Sequence, residues 1–280
     1  MDLTNTQDLK FLLSKHKIRP NKRLGQNFLI DKNALEKLVS AADINRGDTV
    51  IEVGPGIGTI TAYLAKLAKK VIAVEKDPAL IPILKNTTEG FKNIEIVIGD
   101  VLKIEKLKID WKLEIGNWKL AGNIPYYLTA PLIRKFLEID TPPESMTLMV
   151  QKEMAQRICA KPPDMSILAV SVQVYAKPEI ISYVPRSSFW PEPEVDSAII
   201  RIKSHEARIM NTETERDAFF RVVKAGFSSP RKQLINNLSN GLKINRANTV
   251  GWLTGAGIAP ERRAETLAVE EWLHLTKLSP

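Results

Sequence analysis

Apolar positions alternate between two spacings up to about Ser204 and keep to one spacing after it. Short β-branched runs at Thr49-Val50-Ile51-Glu52-Val53, Val71-Ile72-Ala73-Val74 and Ile94-Glu95-Ile96-Val97-Ile98 predict strands. Between the first two, Ile60, Leu64 and Leu67 recur at helical spacing. Asp77-Pro78 supplies a cap and a first-turn proline for the next helix, and Pro82 just inside it predicts a kink. Lys119-Leu120-Ala121 and Met146 to Val150 add a fourth and a fifth strand, the latter before a helix containing Met154 and Ile158. Ile167 to Val174 and Val195 to Ile202 read as two further strands with little room for a helix between them, hence an antiparallel pair at the sheet edge. At the start, Leu9, Leu12 and Leu13 mark a short amphipathic helix ending near Lys17. Arg19 to Leu29 reads as a structured loop, and Asp31 caps a helix through Leu35, Leu38 and Val39.

Strands alternating with helices predict an α/β fold with a doubly wound, mostly parallel sheet and an antiparallel edge hairpin. After Ser204 only helical spacing remains, through Phe219 to Phe227, Leu234-Leu238-Leu242, Val250 to Leu253 and Leu267 to Leu275. The domains are therefore drawn as 1–204 and 205–280, the second all-α. Pro230 is expected to open a helix with Arg231, Lys232 and Gln233 in its first turn.

Composition narrows the function classes. A chain of 280 residues can bury one large core and a small one, and 44% apolar with 26% charged residues is ordinary for a soluble globular protein. No apolar run is long enough to span a bilayer and the start lacks a signal-peptide pattern, so a cytoplasmic protein without a membrane partner is expected. The single cysteine, Cys159, excludes an internal disulfide and a cysteine-cluster metal site. His16, His205 and His274 show no ligand spacing, and no metal is expected. A net charge of +8 points to a polyanionic partner. Lys15, His16, Lys17, Arg19, Lys22 and Arg23 crowd one segment, and Arg221, Lys224, Arg231 and Lys232 recur near the other end, which favours nucleic acid.

Candidate chemistry gathers where strands end, the edge at which open parallel sheets bind ligands. Gly54-Pro55-Gly56-Ile57-Gly58 follows the first long strand and lets a ligand approach the backbone. Glu75 ends the next, about twenty residues on, where an acidic side chain can hold both hydroxyls of a ribose. Asp100 ends the third. The fourth ends in Asn123-Ile124-Pro125-Tyr126-Tyr127. There a proline forces Ile124 to an extended conformation that turns its carbonyl outward, and Asn123 adds a side-chain acceptor. Two acceptors suit an exocyclic amine, and Tyr126 can stack on a base taken out of its helix. Gln26 and Asn27 supply polar groups between Gly25 and Phe28, and three prolines stiffen the loop presenting Phe189 and Trp190.

Taken in order, Leu24-Gly25-Gln26-Asn27-Phe28-Leu29, Glu52-Val53-Gly54-Pro55-Gly56, Asn123-Ile124-Pro125-Tyr126, Val184-Pro185 through Val195-Asp196-Ser197, Arg231-Lys232-Gln233-Leu234-Ile235-Asn236-Asn237-Leu238 and Arg263-Ala264-Glu265-Thr266-Leu267 resemble the S-adenosylmethionine-dependent adenine N6 dimethyltransferases of ribosomal RNA. The C-terminal pieces are more similar to the bacterial small-subunit members than to the erythromycin-resistance members. Ser228-Ser229-Pro230 and Pro162-Pro163-Asp164-Met165 depart from the family pattern.

The resemblance implies a Rossmann-like class I methyltransferase sheet with a helical RNA-recognition domain. It also implies S-adenosylmethionine as cofactor and, as target, two adjacent adenosines in the 3′-terminal hairpin loop of 16S rRNA in the small subunit; separately, a monomer is expected. By resemblance Gln26, Asn27, Leu29, Gly54, Gly56, Glu75, Asp100, Val101 and Asn123 hold the cofactor. Asn123, Tyr126 and Phe189 surround the target, and Lys22, Arg23, Arg231 and Lys232 meet RNA. Three rivals remain: a nicotinamide dehydrogenase, which would need no Asn123-Ile124-Pro125-Tyr126; a large-subunit methyltransferase of the macrolide-resistance type; and a non-enzymatic RNA-binding assembly factor.

Overall fold

The β-branched runs build the sheet. The computed structural model describes residues 1–106, 118–207, 209–210 and 212–280. A two-residue strand at Phe28–Leu29 (β1) precedes Thr49–Val53 (β2), Lys70–Glu75 (β3), Ile94–Ile98 (β4), Trp118–Asn123 (β5) and Ser145–Gln151 (β6). Ala176–Val184 (β7), Phe189–Trp190 (β8) and Ser197–Ser204 (β9) follow. The large sheet has the order β4-β3-β2-β5-β6-β9-β7. β2 pairs in parallel with β3 and β5, β3 with β4, and β5 with β6, while β9 runs antiparallel to β6. β2, β3 and β5 are buried along nearly their whole length, as strands covered on both faces must be.

Helices run over Thr6–Lys15 (α1), Lys32–Ala41 (α2), Thr61–Leu67 (α3), Ile81–Thr87 (α4), Thr129–Glu138 (α5), Lys152–Ile158 (α6), Ile167–Gln173 (α7), Glu213–Gly226 (α8), Leu234–Leu242 (α9), Arg246–Gly255 (α10) and Val269–Lys277 (α11). None of the described helices is long and apolar enough to cross a membrane. Asp31 caps α2 by accepting from the Ala34 N–H at 3.1 Å, as its sequence position predicts. Leu35 and Leu38 of α2 and Leu64 and Ala65 of α3 then pack with Val50 and Val71 of the sheet. At the start of β5, buried Lys119 is neutralised by Asp48 at 3.0 Å and donates to the Asp43 carbonyl, so its charge is paired.

The structure corrects four expectations. Ile167 to Val174 is helical rather than a strand. Ser166 caps it through the Ala169 N–H, and a short apolar run suits a buried helix as well as a strand. The edge strand beside β9 is instead β7. Pro82 does not fall inside a helix begun at Pro78: residues 78–80 form a 3-10 turn and α4 starts at Ile81, so Pro82 sits in its first turn, where no N–H is required. Arg231, Lys232 and Gln233 precede α9 rather than form its first turn. Gln233 is extended, and the Leu234 N–H donates to the Arg262 carbonyl at 2.7 Å.

The fourth correction concerns the division of the chain. It forms two compact units, Met1–Ala155 with Pro178–Ser204, and Gln156–Lys177 with His205–Pro280, so the cut at Ser204 misassigns residues 156–177. The cause lies in α7, whose Ala169 and Val170 pack with Phe219, Val223, Leu238 and Trp272 in the core of the second unit.

Candidate active site

A cavity of about 320 Å³ opens in the first unit where β2, β3, β4 and β5 end. Its lining includes every residue that sequence reasoning assigned to cofactor or target: Gln26, Asn27, Leu29, Gly54, Gly56, Glu75, Asp100, Val101, Asn123, Tyr126 and Phe189. Volume and lining fall in the range of pockets for small cofactors.

The glycine turn after β2 needs left-handed backbone, with φ of 65° at Gly54 and 60° at Gly56. A side chain on Gly56 would also sit 3.4 Å from the Phe28 ring. The Gly56 N–H donates to Glu75 Oε2 at 2.9 Å, and the Asp77 N–H donates to Oε1 at 2.7 Å. Glu75 therefore ties the end of β3 to the glycine turn while lining the cavity. Burial pushes its carboxyl above the ordinary value, against the pull of those two N–H groups.

Asp100 accepts from Lys76 Nζ at 2.9 Å and from the Leu102 N–H at 3.0 Å. Burial alone would raise Asp100, but the ammonium and the N–H outweigh it and hold the carboxyl below its ordinary value. Asn123 closes β5. Its Nδ2 donates to the Asn27 carbonyl at 2.9 Å, which leaves Oδ1 as the acceptor. The next peptide is fixed by the Ile124 N–H donating to the Met149 carbonyl at 3.0 Å.

One wall was missed by the sequence analysis. β1 and β8 pair antiparallel, Phe28 with Trp190 and Leu29 with Phe189, so the loop after Arg19 and the proline-stiffened loop are zipped together. The Ile30 N–H extends this ladder to the Ser188 carbonyl, and the Ser188 hydroxyl donates to Asp31 at 2.7 Å. Strands of two residues have no periodicity to read. Phe189 is consequently a buried wall residue, 3% exposed, rather than an open platform.

Gln26 has both side-chain ends engaged, accepting from the Asn21 N–H and donating to Asp77, each at 2.7 Å. It braces the loop that carries Lys22 and Arg23, both exposed. Arg231 and Lys232, in the second unit, are exposed in the turn before α9. Phe28, Thr59, Lys76 and Tyr127 also line the cavity and were not assigned from sequence. Adjacency to an assigned residue could have marked Phe28, Lys76 and Tyr127, and Thr59 has no such neighbour.

Beneath the glycine turn Glu52 is fully buried and neither carboxyl oxygen has a hydrogen-bond partner. Burial pushes it up to about 8, opposed by the nearby Thr61 hydroxyl, which does not reach hydrogen-bonding geometry, and reinforced by the charge of Glu75.

Residues 17–279 match the family described as ribosomal RNA adenine dimethylase. Ribosomal RNA small subunit methyltransferase A of Dehalococcoides mccartyi strain CBDB1 is 45% identical over 269 residues, covering 95% of this chain and 90% of that protein. Its namesake in Clostridioides difficile strain 630 is 43% identical over 280 residues, covering 99% and 96%. Among solved structures, the 23S rRNA methyltransferase ErmE aligns with a TM-score of 0.74 at 27% identity, over 90% of this chain and 99% of that one. A dimethyladenosine transferase from Plasmodium falciparum aligns with a TM-score of 0.73 at 29% identity, over 88% and 95%. The chain belongs to the ribosomal RNA adenine dimethylase family, whose members use S-adenosylmethionine as methyl donor.

Proposed function

We propose that this protein dimethylates N6 of two adjacent adenosines in the 3′-terminal hairpin loop of 16S rRNA, acting as a cytoplasmic monomer on the small ribosomal subunit. One observation carries the reading: Asn123 and Tyr126, suited to an adenine, line the same cavity as Gly54, Glu75 and Asp100, suited to S-adenosylmethionine. Small-subunit specificity is favoured over the large-subunit alternative by relatives of that name at 43 and 45% identity, against 27% for ErmE. Methyl incorporation from labelled cofactor into isolated undermethylated small subunits, but not large ones, tests this choice.

The residues fit the cofactor. Gly54 and Gly56 admit it to the backbone, Glu75 takes the ribose hydroxyls, Asp100 and Val101 take the adenine end, and Asn27, Leu29 and Gln26 form the covering loop. When bound, S-adenosylmethionine supplies a methyl group on a sulfonium, already a good leaving group. The protein's work is then to place the nucleophile, a task for which orientation can contribute several kcal/mol. The lone pair of adenine N6 is delocalised into its ring. Asn123 Oδ1 and the Ile124 carbonyl accept the two N–H groups and favour a pyramidal nitrogen with a localised lone pair. Tyr126 holds the base face, Phe189 supplies an apolar wall, and the product nitrogen loses its proton to solvent.

Glu75→Ala is expected to weaken cofactor binding by roughly 1.5 to 3 kcal/mol, as for hydrogen bonds to charged groups. Unchanged affinity by titration calorimetry would reject the ribose assignment. We further propose that the first compact unit acts in catalysis, that the second acts in RNA recognition, and that Lys22, Arg23, Arg231 and Lys232 neutralise phosphates. Replacing these four with glutamine should flatten the salt dependence of RNA binding by about one unit of slope for each phosphate no longer neutralised. Weaker binding with an unaltered slope would assign them to folding instead.

A further inference from the structure

Tyr126 opens a short 3-10 turn at the cavity rim, directly after Pro125, and lies between a fully buried Ile124 and an exposed Tyr127. Its ring is only partly covered, so packing alone leaves its two side-chain torsions weakly determined. Its far end, however, is held. The phenol oxygen lies 3.0 Å from Ser197 Oγ and 3.4 Å from the Val195 carbonyl. Burial raises the phenol above its ordinary value, partly offset by Ser197, so the hydroxyl remains a proton-bearing partner.

Ser197 is itself an anchored post. It is 1% exposed, it begins β9, and it pairs in register with Gln151 of β6. The preceding residue is pinned on both sides: the Arg186 N–H donates to Asp196 Oδ1 at 3.1 Å, and the Lys152 N–H to the Asp196 carbonyl at 3.0 Å. A hydroxyl fixed in the sheet thus grips the tip of an aromatic side chain that starts from a different strand end. Fixing both ends of a tyrosine sets the plane of its ring.

We propose that Ser197 is a positioning residue for methyl transfer, acting through the Tyr126 hydroxyl to fix the plane on which the target adenine stacks. The inference rests on the assignment of Tyr126 to the target base. Ser197 touches neither substrate nor cofactor, and it acts by keeping the amine aligned once the base is seated. The Tyr126 hydroxyl then has a mechanical role, beyond the stacking face that the sequence suggests.

Single-turnover methylation of small subunits at saturating cofactor tests this with Ser197→Ala, Tyr126→Phe, the double variant and Tyr126→Ala, with cofactor affinity measured for each to establish an intact fold. Ser197→Ala and Tyr126→Phe should each slow transfer roughly 3- to 10-fold, the worth of one hydrogen bond. The double variant should be no slower than Tyr126→Phe alone, because losing the phenol already removes the bond that Ser197 makes. Tyr126→Ala should be the slowest, and cofactor affinity should be unchanged throughout. Multiplicative effects of the two hydroxyl deletions, a wild-type rate for Ser197→Ala, or an equal loss of cofactor affinity would overturn the role of Ser197 while leaving the stacking assignment standing. A wild-type rate for Tyr126→Ala would overturn both.

Discussion

Replacing Asn123 with alanine is expected to slow single-turnover methyl transfer by about 100- to 1,000-fold, the usual cost of removing one preorganised polar group from a reacting centre. The side chain does two things at once. Its Nδ2 donates to the Asn27 carbonyl and so ties the covering loop to the end of β5. That bond fixes which end of the amide is turned towards the target, making Oδ1 the acceptor. Alanine removes both, so weaker cofactor binding should accompany the slower transfer. This double loss separates Asn123→Ala from the Tyr126 variants, which should leave cofactor affinity intact. A rate within threefold of wild type at saturating cofactor would remove Asn123 from the account.

The second large effect is on stability and depends on pH. Glu52 is fully buried, lacks a hydrogen-bond partner and is pushed from an ordinary 4.5 to about 8. In the folded protein it therefore stays protonated at neutral pH, whereas in the unfolded chain it ionises. Because its folded value is raised, its contribution is fully present below about pH 4.5 and is lost as pH rises towards 8. Glu52→Gln removes that titration. The stability of the variant relative to wild type should thus rise by roughly 2 to 4 kcal/mol between pH 5 and pH 8.5. Urea unfolding at the two pH values reads this directly, since the fixed cost of burying an amide cancels in the comparison. Parallel pH curves for the two proteins would mean that Glu52 is ionised, or solvated, in the fold.

The parallel sheet was legible because β2, β3 and β4 are short runs rich in β-branched residues, with glycine or acidic residues at or just past their ends. Position at the sheet edge made Glu75, Asp100 and Asn123 readable, since Glu75 and Asn123 close strands, Asp100 lies two residues past one, and all three line one cavity. Ile167 to Val174 misled because a segment with six apolar residues in eight fits a strand and a buried helix equally. The deciding feature was the Ser166 cap and packing partners more than forty residues away in the chain. The β1–β8 ladder and the Ser197–Tyr126 bond escaped for a related reason. Each joins short segments distant in sequence, and neither leaves a period in either one.

The central claim is that one cavity presents the N6 amine of two neighbouring adenosines in turn. It is tested most directly by digesting RNA from undermethylated small subunits treated with the protein and labelled S-adenosylmethionine, and mapping the label by mass spectrometry. The predicted result is N6,N6-dimethyladenosine at two adjacent positions of the 3′-terminal hairpin loop. Label on any other base, or confined to large-subunit RNA when both subunits are supplied, would contradict it.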